Sequence, residues 1–452
     1  MTAQGFFRRI LFQLPAFLAV TCAVAHGQDA APATEVLTLD QALAEAKENN
    51  RQIKIAQQSV LGAKDQILAA RTQRLPHFSV MMTGGSLVTP VGIEFNKASL
   101  GYVDGFPIPS QNQTIKSYPG LSGFGFAEIY QPLSDLYNIH LNIEAAQVGK
   151  RLVEEQLRQQ RQQIINSVKD AYYSLLQTQS GLDAAEENVK SLREIEVTTD
   201  EYLKEKTVLN YQSTGVKAQL AQGELQVVTL QDTFQTQKEN LNVLLGRDIR
   251  TDFRVNPVPE EMPEERDLEV ARQKALENRT EIRQARIKMD QAVYARRIEK
   301  AQYIPQIGID YLFLAPFSAQ GLPQYINSVG IRLKWDVYDW GYKKHLMDQD
   351  QRTIEQTKLN LTETQSQVAV DLGNRFRKLR EARANVKVAQ LAQQAEKEKL
   401  DVVLEQYKQK ATLLTNVMTE QANMAQAVAQ YQQAIAAFWT ARSDFEKSLG
   451  ED

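Results

Sequence analysis

The sequence predicts a mainly α-helical protein that also supplies strands to a β-barrel. Three observations lead to this fold class: a strand pattern with one apolar and one polar face, a duplication over most of the chain, and long helical stretches with a narrow apolar seam. Together they predict a duplicated helix–strand–strand–helix subunit. It would have long coiled-coil-like helices and four strands per chain in a shared transmembrane β-barrel.

Side chains alternate most clearly in the stretch from Ser328 to Tyr338. The apolar residues share one parity: Val329, Ile331, Leu333, Trp335 and Val337. The charged residues of the other parity are Arg332, Lys334 and Asp336. Successive side chains of a strand point to opposite faces, and the neighbouring helical segments are too polar to cover the apolar face as a soluble core would. We therefore expect a membrane-spanning strand with its apolar set towards lipid and its charged set towards a water-filled lumen.

Residues 1–27 predict a secretory signal peptide. Arg8 and Arg9 precede the apolar run 10–20, and small residues at 23–27 suit a cleavage site. The single cysteine, Cys22, lies in this segment; a lipid anchor on it is the alternative, although residues 19–21 match a lipobox badly. Beyond the signal, no run of 18 apolar residues predicts a transmembrane helix. An exported chain of this kind is periplasmic, secreted or part of an outer-membrane barrel.

Internal duplication is the strongest signal in the sequence. Residues 39–78 match 268–307 without gaps at an offset of 229, with ten identities in forty positions. The identities include a proline that ends the helix in each copy, Pro76 and Pro305. Further along, the two Leu-Gly pairs at 245–246 and 449–450 match at an offset of 204. The first copy therefore contains 25 extra residues, which we assign to a long Gly/Pro-rich loop, Leu87 to Gly123.

The duplication sets the predicted boundaries. The first repeat covers 28–246, a proline-containing non-helical connector covers 247–266, and the second repeat covers 267–452. Strands are expected at about 77–93, 123–133, 304–317 and 328–338. In the second of these, Phe124, Phe126 and Tyr130 share one parity, and Ala127 and Ile129 share the other. Alignment to the second repeat favours Ala127 and Ile129 as outward, but a one-residue bulge would reverse the facing, so it stays open.

Long helices are expected on both sides of the strands. The first helix should run from Thr38 to Arg74, and a proline-free helical region from His140 to Gly246. Near the end of the chain, one apolar seam follows a heptad pattern: Val417, Met424, Val428, Tyr431, Ile435, Phe438, Phe445 and Leu449. Two apolar positions in seven are typical of coiled coils. At about 1.5 Å per residue, a helix from residue 140 to 204 would be about 100 Å long.

Four strands require other copies of the chain. An open sheet edge in hydrocarbon leaves backbone groups without hydrogen-bond partners, at several kcal/mol each. Two chains would give about eight strands, a barrel that side chains fill, whereas three would give about twelve. The strands thus predict an oligomer without fixing the number of copies.

The chain resembles the TolC-type outer-membrane efflux protein family from about Val36 to Gly450. The resemblance is carried by the doubled L-x-x-A-x(3)-A-x-E-N start, the proline after each first helix, Y-Q-P-L-S-D at 130–135, W-D-V-Y-D-W-G at 335–341 and the Leu-Gly endings. It implies a homotrimer with a shared barrel in outer-membrane lipid and helices that extend into the periplasm. There the helices would contact a periplasmic adaptor protein and an inner-membrane transporter. The implied function is the outer-membrane channel of a tripartite efflux or type I secretion system.

The helix tips depart from the family pattern. The family usually has a glycine one turn after a tyrosine, but Tyr202 and Tyr407 are followed by Leu, Lys, Glu and Gln residues. The predicted tip residues are apolar: Val208, Leu209, Leu413 and Leu414. Apolar side chains at a solvent-facing extremity indicate a partner surface, and mutual packing that holds a closed pore is the alternative.

Other classes of function find little support in the sequence. A net charge of −3 gives no reason to expect a nucleic-acid partner. No catalytic motif or Cys-His cluster is present, and His77, His140 and His345 each lie near a strand–helix junction, so we expect no catalytic, cofactor or metal site. A periplasmic coiled-coil adaptor is the main alternative, but it leaves the strands and the duplication unexplained. An exported enzyme would need a convergent polar pocket that the sequence does not indicate.

Overall fold

The computed structural model describes residues 35–86, 92–116, 121–206, 209–256, 263, 267–317, 323–409 and 411–451. Its helices are α1 Leu39–Asn49, α2 Arg51–Thr72, α3 Leu136–Lys204, α4 Asn210–Leu245, α5 Leu268–Asn278, α6 Thr280–Ala301, α7 Tyr342–Lys408 and α8 Leu414–Ser448. Its strands are β1 Glu35–Leu37, β2 His77–Ser86, β3 Gly92–Phe95, β4 Tyr102–Val103, β5 Phe106–Pro107, β6 Gln113–Lys116, β7 Leu121–Pro132, β8 Phe253–Val255, β9 Gln306–Phe317 and β10 Ile326–Lys334. The predicted signal peptide and Cys22 lie outside the described residues.

Both repeats have the predicted order of elements. In the first, α1 and α2 lead into β2, β7, α3 and α4, and in the second, α5 and α6 lead into β9, β10, α7 and α8. The two hairpins combine into one antiparallel sheet with the strand order β10-β9-β7-β2, so that β7 and β9 join the repeats. The fold class predicted from the sequence is confirmed.

The predicted strand bounds need correction at two places. The first strand, expected to reach about residue 93, ends at Ser86, and β3 instead pairs with β6 in a separate small sheet. The predicted loop therefore contains paired strands; β4 and β5 form a tight hairpin because Asp104 and Gly105 adopt positive φ angles of 53° and 77°. The fourth strand ends at Lys334, not Tyr338.

The chain leaves the sheet after Lys334, and residues 335–341 form the turn that leads into α7. The carboxylate of Asp339 accepts hydrogen bonds from the backbone N–H groups of Gly341 and Lys343, both at 3.0 Å. Trp340 and Gly341 adopt positive φ angles of 57° and 86° in this turn. Trp335, Asp336 and Val337 consequently lie beyond the strand to which the sequence assigned them.

The first predicted helix is broken, contrary to expectation. Asn50 has an extended ψ of 128° between α1 and α2, and its side-chain oxygen accepts hydrogen bonds from the N–H groups of Gln52 and Ile53. The equivalent position in the second repeat is Arg279, with ψ 127°. A single elbow thus interrupts the same helix in both repeats, and in the first repeat the asparagine side chain caps the new helix start.

We call the breaks at Asn50 and Arg279 the two elbows. At each elbow the glycine of the Leu-Gly pair that ends the repeat lies against the asparagine that ends the repeat's first helix. Gly246 and Gly450 end their helices in the left-handed region, at φ 79° and 75°, and both lie against the elbow backbone. The Asn50 amide donates to the carbonyl of Leu244 at 2.8 Å. At the equivalent position, the Arg279 guanidinium donates to the carbonyl of Ser448 at 3.3 Å. Different side chains therefore satisfy the same terminal carbonyl in each repeat.

The helices pack along narrow seams, as the heptad pattern predicts. Val417, Phe438 and Phe445 of α8 and Leu449 at its C-cap are buried, while the other seam residues are partly buried. The first repeat adds a clip that the sequence did not predict: β8, within the predicted connector, pairs in parallel with β1. The hydroxyl of Tyr172 hydrogen-bonds the carbonyls of Leu37 and Asn256 at 3.0 and 2.8 Å and fixes this clip to α3.

A helix long and apolar enough to cross a bilayer is not found among the described residues.

We expect Gly246→Ala to destabilise the protein. An added Cβ would lie 2.4 Å from the Asn49 carbonyl oxygen, and the positive φ of Gly246 adds about 1–2 kcal/mol of backbone strain for an L-residue. Urea or thermal unfolding measures the change. The control is Gly215→Ala within α4, where a Cβ meets no atom within 4 Å and alanine favours the helix. Equal stability of the two variants would contradict the elbow's structural role.

Candidate functional site

One face of the four-stranded sheet is apolar and exposed. Its central members on β10 are Val329, Ile331 and Leu333, with 75, 78 and 62% of their surface accessible. The strand register places apolar residues beside them on the other strands: Phe78, Val80 and Met82 on β2, Ala127 and Ile129 on β7, and Ile307 and Ile309 on β9. No described part of the chain covers Val329, Ile331 or Leu333, although together they expose a large apolar area.

The opposite face carries an ion cluster centred on Arg332 of β10. Its guanidinium forms an ion pair with Glu128 of β7 and lies 3.8 Å from a carboxylate oxygen of Asp310 of β9. The ring of Tyr130 lies 5.2 Å from the guanidinium carbon. Gly308 leaves room for that ring, since an added Cβ would approach it to 2.4 Å. The cluster therefore links three strands drawn from both repeats.

The register also settles the facing of β7 that the sequence left open. Pairing with β2 and β9 continues without a bulge, so Phe124, Phe126 and Tyr130 lie on the face of Arg332. Ala127 and Ile129 lie on the apolar face, which is the orientation that the repeat alignment favoured. Lys334, the last residue of β10, is on the parity of Arg332. The remaining residues predicted for the two faces, Trp335, Asp336 and Val337, follow the strand and are exposed.

Both edges of the sheet are unpaired within the described chain. β2 pairs only with β7, and β10 only with β9. Both are long strands, of 10 and 9 residues. Their free N–H and C=O groups form a template for another copy of the chain.

At the far ends of the long helices, the two repeats again match. Leu209 and Leu413 occupy the N-cap positions of α4 and α8 with nearly identical backbone angles, and their side chains are 65 and 66% exposed. Leu414 is 5% exposed, contrary to its predicted place at an exposed apex, because it packs with Ile195 and Val417. Val208 lies outside the described residues.

Contacts near the tips hold the helix pairs together. The rings of Tyr202 and Tyr407 meet edge to face at 6.1 Å, which joins α3 to α7. Asp200 accepts a hydrogen bond from the Ser213 hydroxyl at 2.8 Å and pairs with Lys217 at 3.3 Å. Hydrogen bonds from these two side chains lower the pKa of Asp200. The tip is therefore a packed structure with one exposed leucine at the start of each returning helix.

A partly buried ion network lies where α3, α7 and α8 meet. The Asn166 amide of α3 donates to Asp170 at 3.0 Å and approaches Asp444 of α8 at 3.3 Å. Burial and the nearby charge of Asp444 raise the pKa of Asp170 to about 6. Arg375 of α7 pairs with both Asp444 and Asp371 at 2.9 Å. Burial acts against it, but hydrogen bonds from Arg279 and Arg375 lower the pKa of Asp371.

Sequence reasoning missed Glu128, Asp310 and Asp170. The first two could have been found, since each is the one acid within its strand β7 or β9. Asp170 gives no local signal, because its environment comes from helices far apart in the chain. Among the described residues, no group of three or more His, Cys, Asp or Glu side chains could hold a metal ion.

Comparison with known proteins shows which proteins the chain resembles. Residues 42–247 match the model of the outer membrane efflux protein family. The Campylobacter jejuni CmeC outer membrane channel has a TM-score of 0.75 at 16% identity, over 91% of this chain and 85% of that one. The Vibrio cholerae outer membrane protein VceC has a TM-score of 0.70 at 14% identity, over 91 and 96%. The open-state Neisseria gonorrhoeae MtrE outer membrane channel has a TM-score of 0.68 at 15% identity, over 91% of this chain and 89% of that one. No curated protein matches the sequence.

The resemblance to the TolC-type outer-membrane efflux protein family is thereby confirmed. The structural neighbours show the fold, and the family match extends over most of the first repeat. The family provides the outer-membrane component of tripartite efflux systems, and its members are channel proteins. These findings support an outer-membrane location with helices that extend into the periplasm.

We expect Asp170→Asn to flatten the pH dependence of stability. Because the folded-state pKa of about 6 lies above the unfolded value of about 3.9, this group favours the folded state more as the pH falls from above 6 to 4. At pH 7.5 the substitution should therefore stabilise the protein, by less than about 2 kcal/mol because solvent screens a half-buried group. Thermal unfolding at pH 7.5 and 4.5 measures both effects. A native-like pH profile in the variant would contradict the assignment.

Proposed function

We propose that the chain is the outer-membrane channel of a tripartite efflux or type I secretion system. Three copies would close one twelve-stranded barrel, with Val329, Ile331 and Leu333 towards lipid and the Arg332 cluster towards the lumen. Substrates would enter at the helix tips and leave through the barrel. The observation that carries the proposal is the two-faced sheet: it is built from both repeats, exposed on its apolar face and unpaired at both edges.

The physical chemistry of the sheet supports this orientation. A lipid-facing guanidinium near the bilayer centre costs about 2–4 kcal/mol, so the face with Arg332, Glu128 and Asp310 belongs to water. The other face combines branched apolar residues with high exposure, which hydrocarbon would cover. A shared barrel would give the free edges of β2 and β10 their partners in neighbouring copies.

A periplasmic adaptor or inner-membrane transporter is the partner class that the family implies. The exposed pair Leu209 and Leu413 is the surface that we propose for contact with the adaptor. Leu414 and the cluster around it would instead hold the tip in shape. The periplasmic coiled-coil alternative gives no role to the exposed apolar face of the sheet.

We expect Leu333→Arg to block assembly far more than Arg332→Gln. In the proposed barrel each subunit would place the new arginine in lipid at about 2–4 kcal/mol near the midplane. Arg332→Gln removes the ion pair with Glu128 but keeps a polar side chain in the lumen. Heat-resistant oligomer on a gel, with outer-membrane fractionation, measures assembly. Equal oligomer from both variants would reverse or remove the proposed facing.

We expect the double variant Leu209→Ser, Leu413→Ser to lose efflux while its oligomers remain intact. These side chains are exposed, so their truncation removes a partner surface without opening a core. Efflux of a fluorescent substrate from cells, together with the oligomer assay, separates the two effects. Leu414→Ala is the contrasting variant at the neighbouring buried leucine. It removes a core contact and should lower the free energy of unfolding by about 2–5 kcal/mol, an effect that the exposed leucines should not show. Leakage of large antibiotics into cells carrying the double variant would instead indicate that the two leucines seal the pore.

A further inference from the structure

The face that carries Arg332 changes character along the strands. Strand register pairs Met81 with Phe126, Phe126 with Leu314, and Leu314 with Ile326. Paired residues point to the same side of a sheet, so these four side chains form one continuous row across β2, β7, β9 and β10. We call this set, Met81, Phe126, Leu314 and Ile326, the apolar row. Each strand of the sheet contributes one apolar residue to it and no polar residue.

The neighbouring rows nearer the helices are different. The adjacent row contains Ser79, Glu128, Leu312 and Ser328, and the row after it contains His77, Tyr130, Asp310 and Gly330. These two rows hold two carboxylates and no lysine or arginine. The guanidinium of Arg332, from the next row, pairs with Glu128 and approaches Asp310. Its single positive charge offsets one of the two negative charges of these carboxylates. The environment next to the apolar row is therefore net negative in each copy.

The apolar row is open within the chain. Met81 and Ile326 are 57 and 42% exposed, and Phe126 and Leu314 are half-buried. A barrel of about twelve strands, spaced about 4.8 Å apart and tilted by about 40°, has walls about 24 Å apart. Interdigitating sheet faces lie only about 10 Å apart. Rows from opposite copies are therefore too distant to cover one another across the lumen.

We propose that the apolar row forms a contact belt for the apolar part of a molecule passing through the barrel, and that the carboxylates beside it favour a cationic amphiphile. This inference rests on the proposed channel function and assigns a specificity-determining site within it. In a water-filled lumen the exposed side chains of the row gain contact only when an apolar surface passes. The unpaired part of the Glu128 and Asp310 charge complements a positive group on the same molecule.

The test uses two monovalent cations that differ in apolar surface. Purified native protein is inserted into planar bilayers, and the time for which tetraphenylphosphonium or tetraethylammonium interrupts the single-channel current is measured. The belt predicts interruptions at least ten times longer for tetraphenylphosphonium, which corresponds to about 1.4 kcal/mol. The double variant Phe126→Thr, Leu314→Thr should shorten them about ten-fold without changing those of tetraethylammonium. The control Ser79→Ala, Ser328→Ala alters the neighbouring row and should leave both unchanged.

Each outcome decides between the two proposals. If the native channel conducts but the two cations interrupt its current for equal times, the belt is overturned and the proposed channel function stands. The same holds if tetraphenylphosphonium acts only after residues 97–112 are deleted, because the chain's own loop would then cover the row. Absence of any current from both the correctly assembled native protein and the Leu209→Ser, Leu413→Ser variant, in which a seal at the tips would be removed, overturns the channel function itself. If the double variant does not assemble, Ile326→Thr at the start of β10 replaces it, with a shortening of at least two-fold expected.

Discussion

The backbone N–H and C=O groups along the two edges of the four-stranded sheet have no hydrogen-bond partner within the described chain, and this limits where the sheet can lie. In water such an edge is tolerable, but in hydrocarbon each unpaired group costs several kcal/mol. In the proposed barrel the exposed apolar face would meet hydrocarbon, and the free edges of β2 and β10 would pair with other copies of the chain. The proposal therefore couples assembly to membrane insertion, because one subunit alone would leave both edges unpaired in hydrocarbon.

Each repeat contributes two strands to the sheet and an equivalent set of helices. The polar contacts that hold these elements together differ between the two repeats. Arg332 of β10 in the second repeat pairs with Glu128 of β7 in the first, so this ion pair reaches across β9 and spans the seam between β7 and β9. At the elbows, Asn50 and Arg279 satisfy equivalent carbonyls with unlike side chains. Arg279 also forms an ion pair with Asp371 of the Asp371–Arg375 network, a contact that the uncharged Asn50 side chain cannot make.

The sequence was sufficient where a periodic pattern reports directly on burial. Two-residue alternation predicted the faces of β10 as far as Lys334, and the heptad seam predicted the buried side of α8. It failed where a single contact overrides local preference. Asn50 breaks the helix predicted from Thr38 to Arg74, because its side-chain oxygen caps α2 and its amide donates to the carbonyl of Leu244. Leu414 is buried in a cluster that includes Ile195 and Val216 of the first repeat, so the sequence of the second tip did not show that Leu413 is exposed and Leu414 is not.

The most direct measurement is disulfide cross-linking between the two sheet edges. The one native cysteine, Cys22, precedes the predicted cleavage site, so introduced cysteines would have no competitor in the mature chain. One cysteine at Thr83 on β2 is combined in turn with a cysteine at each position of β10, and the membranes are oxidised and run on a non-reducing gel. A shared barrel of three copies predicts a reducible ladder that stops at the trimer, for a few adjacent β10 positions. A protein that remains monomeric at every position, or a ladder that stops at another number, would contradict the account.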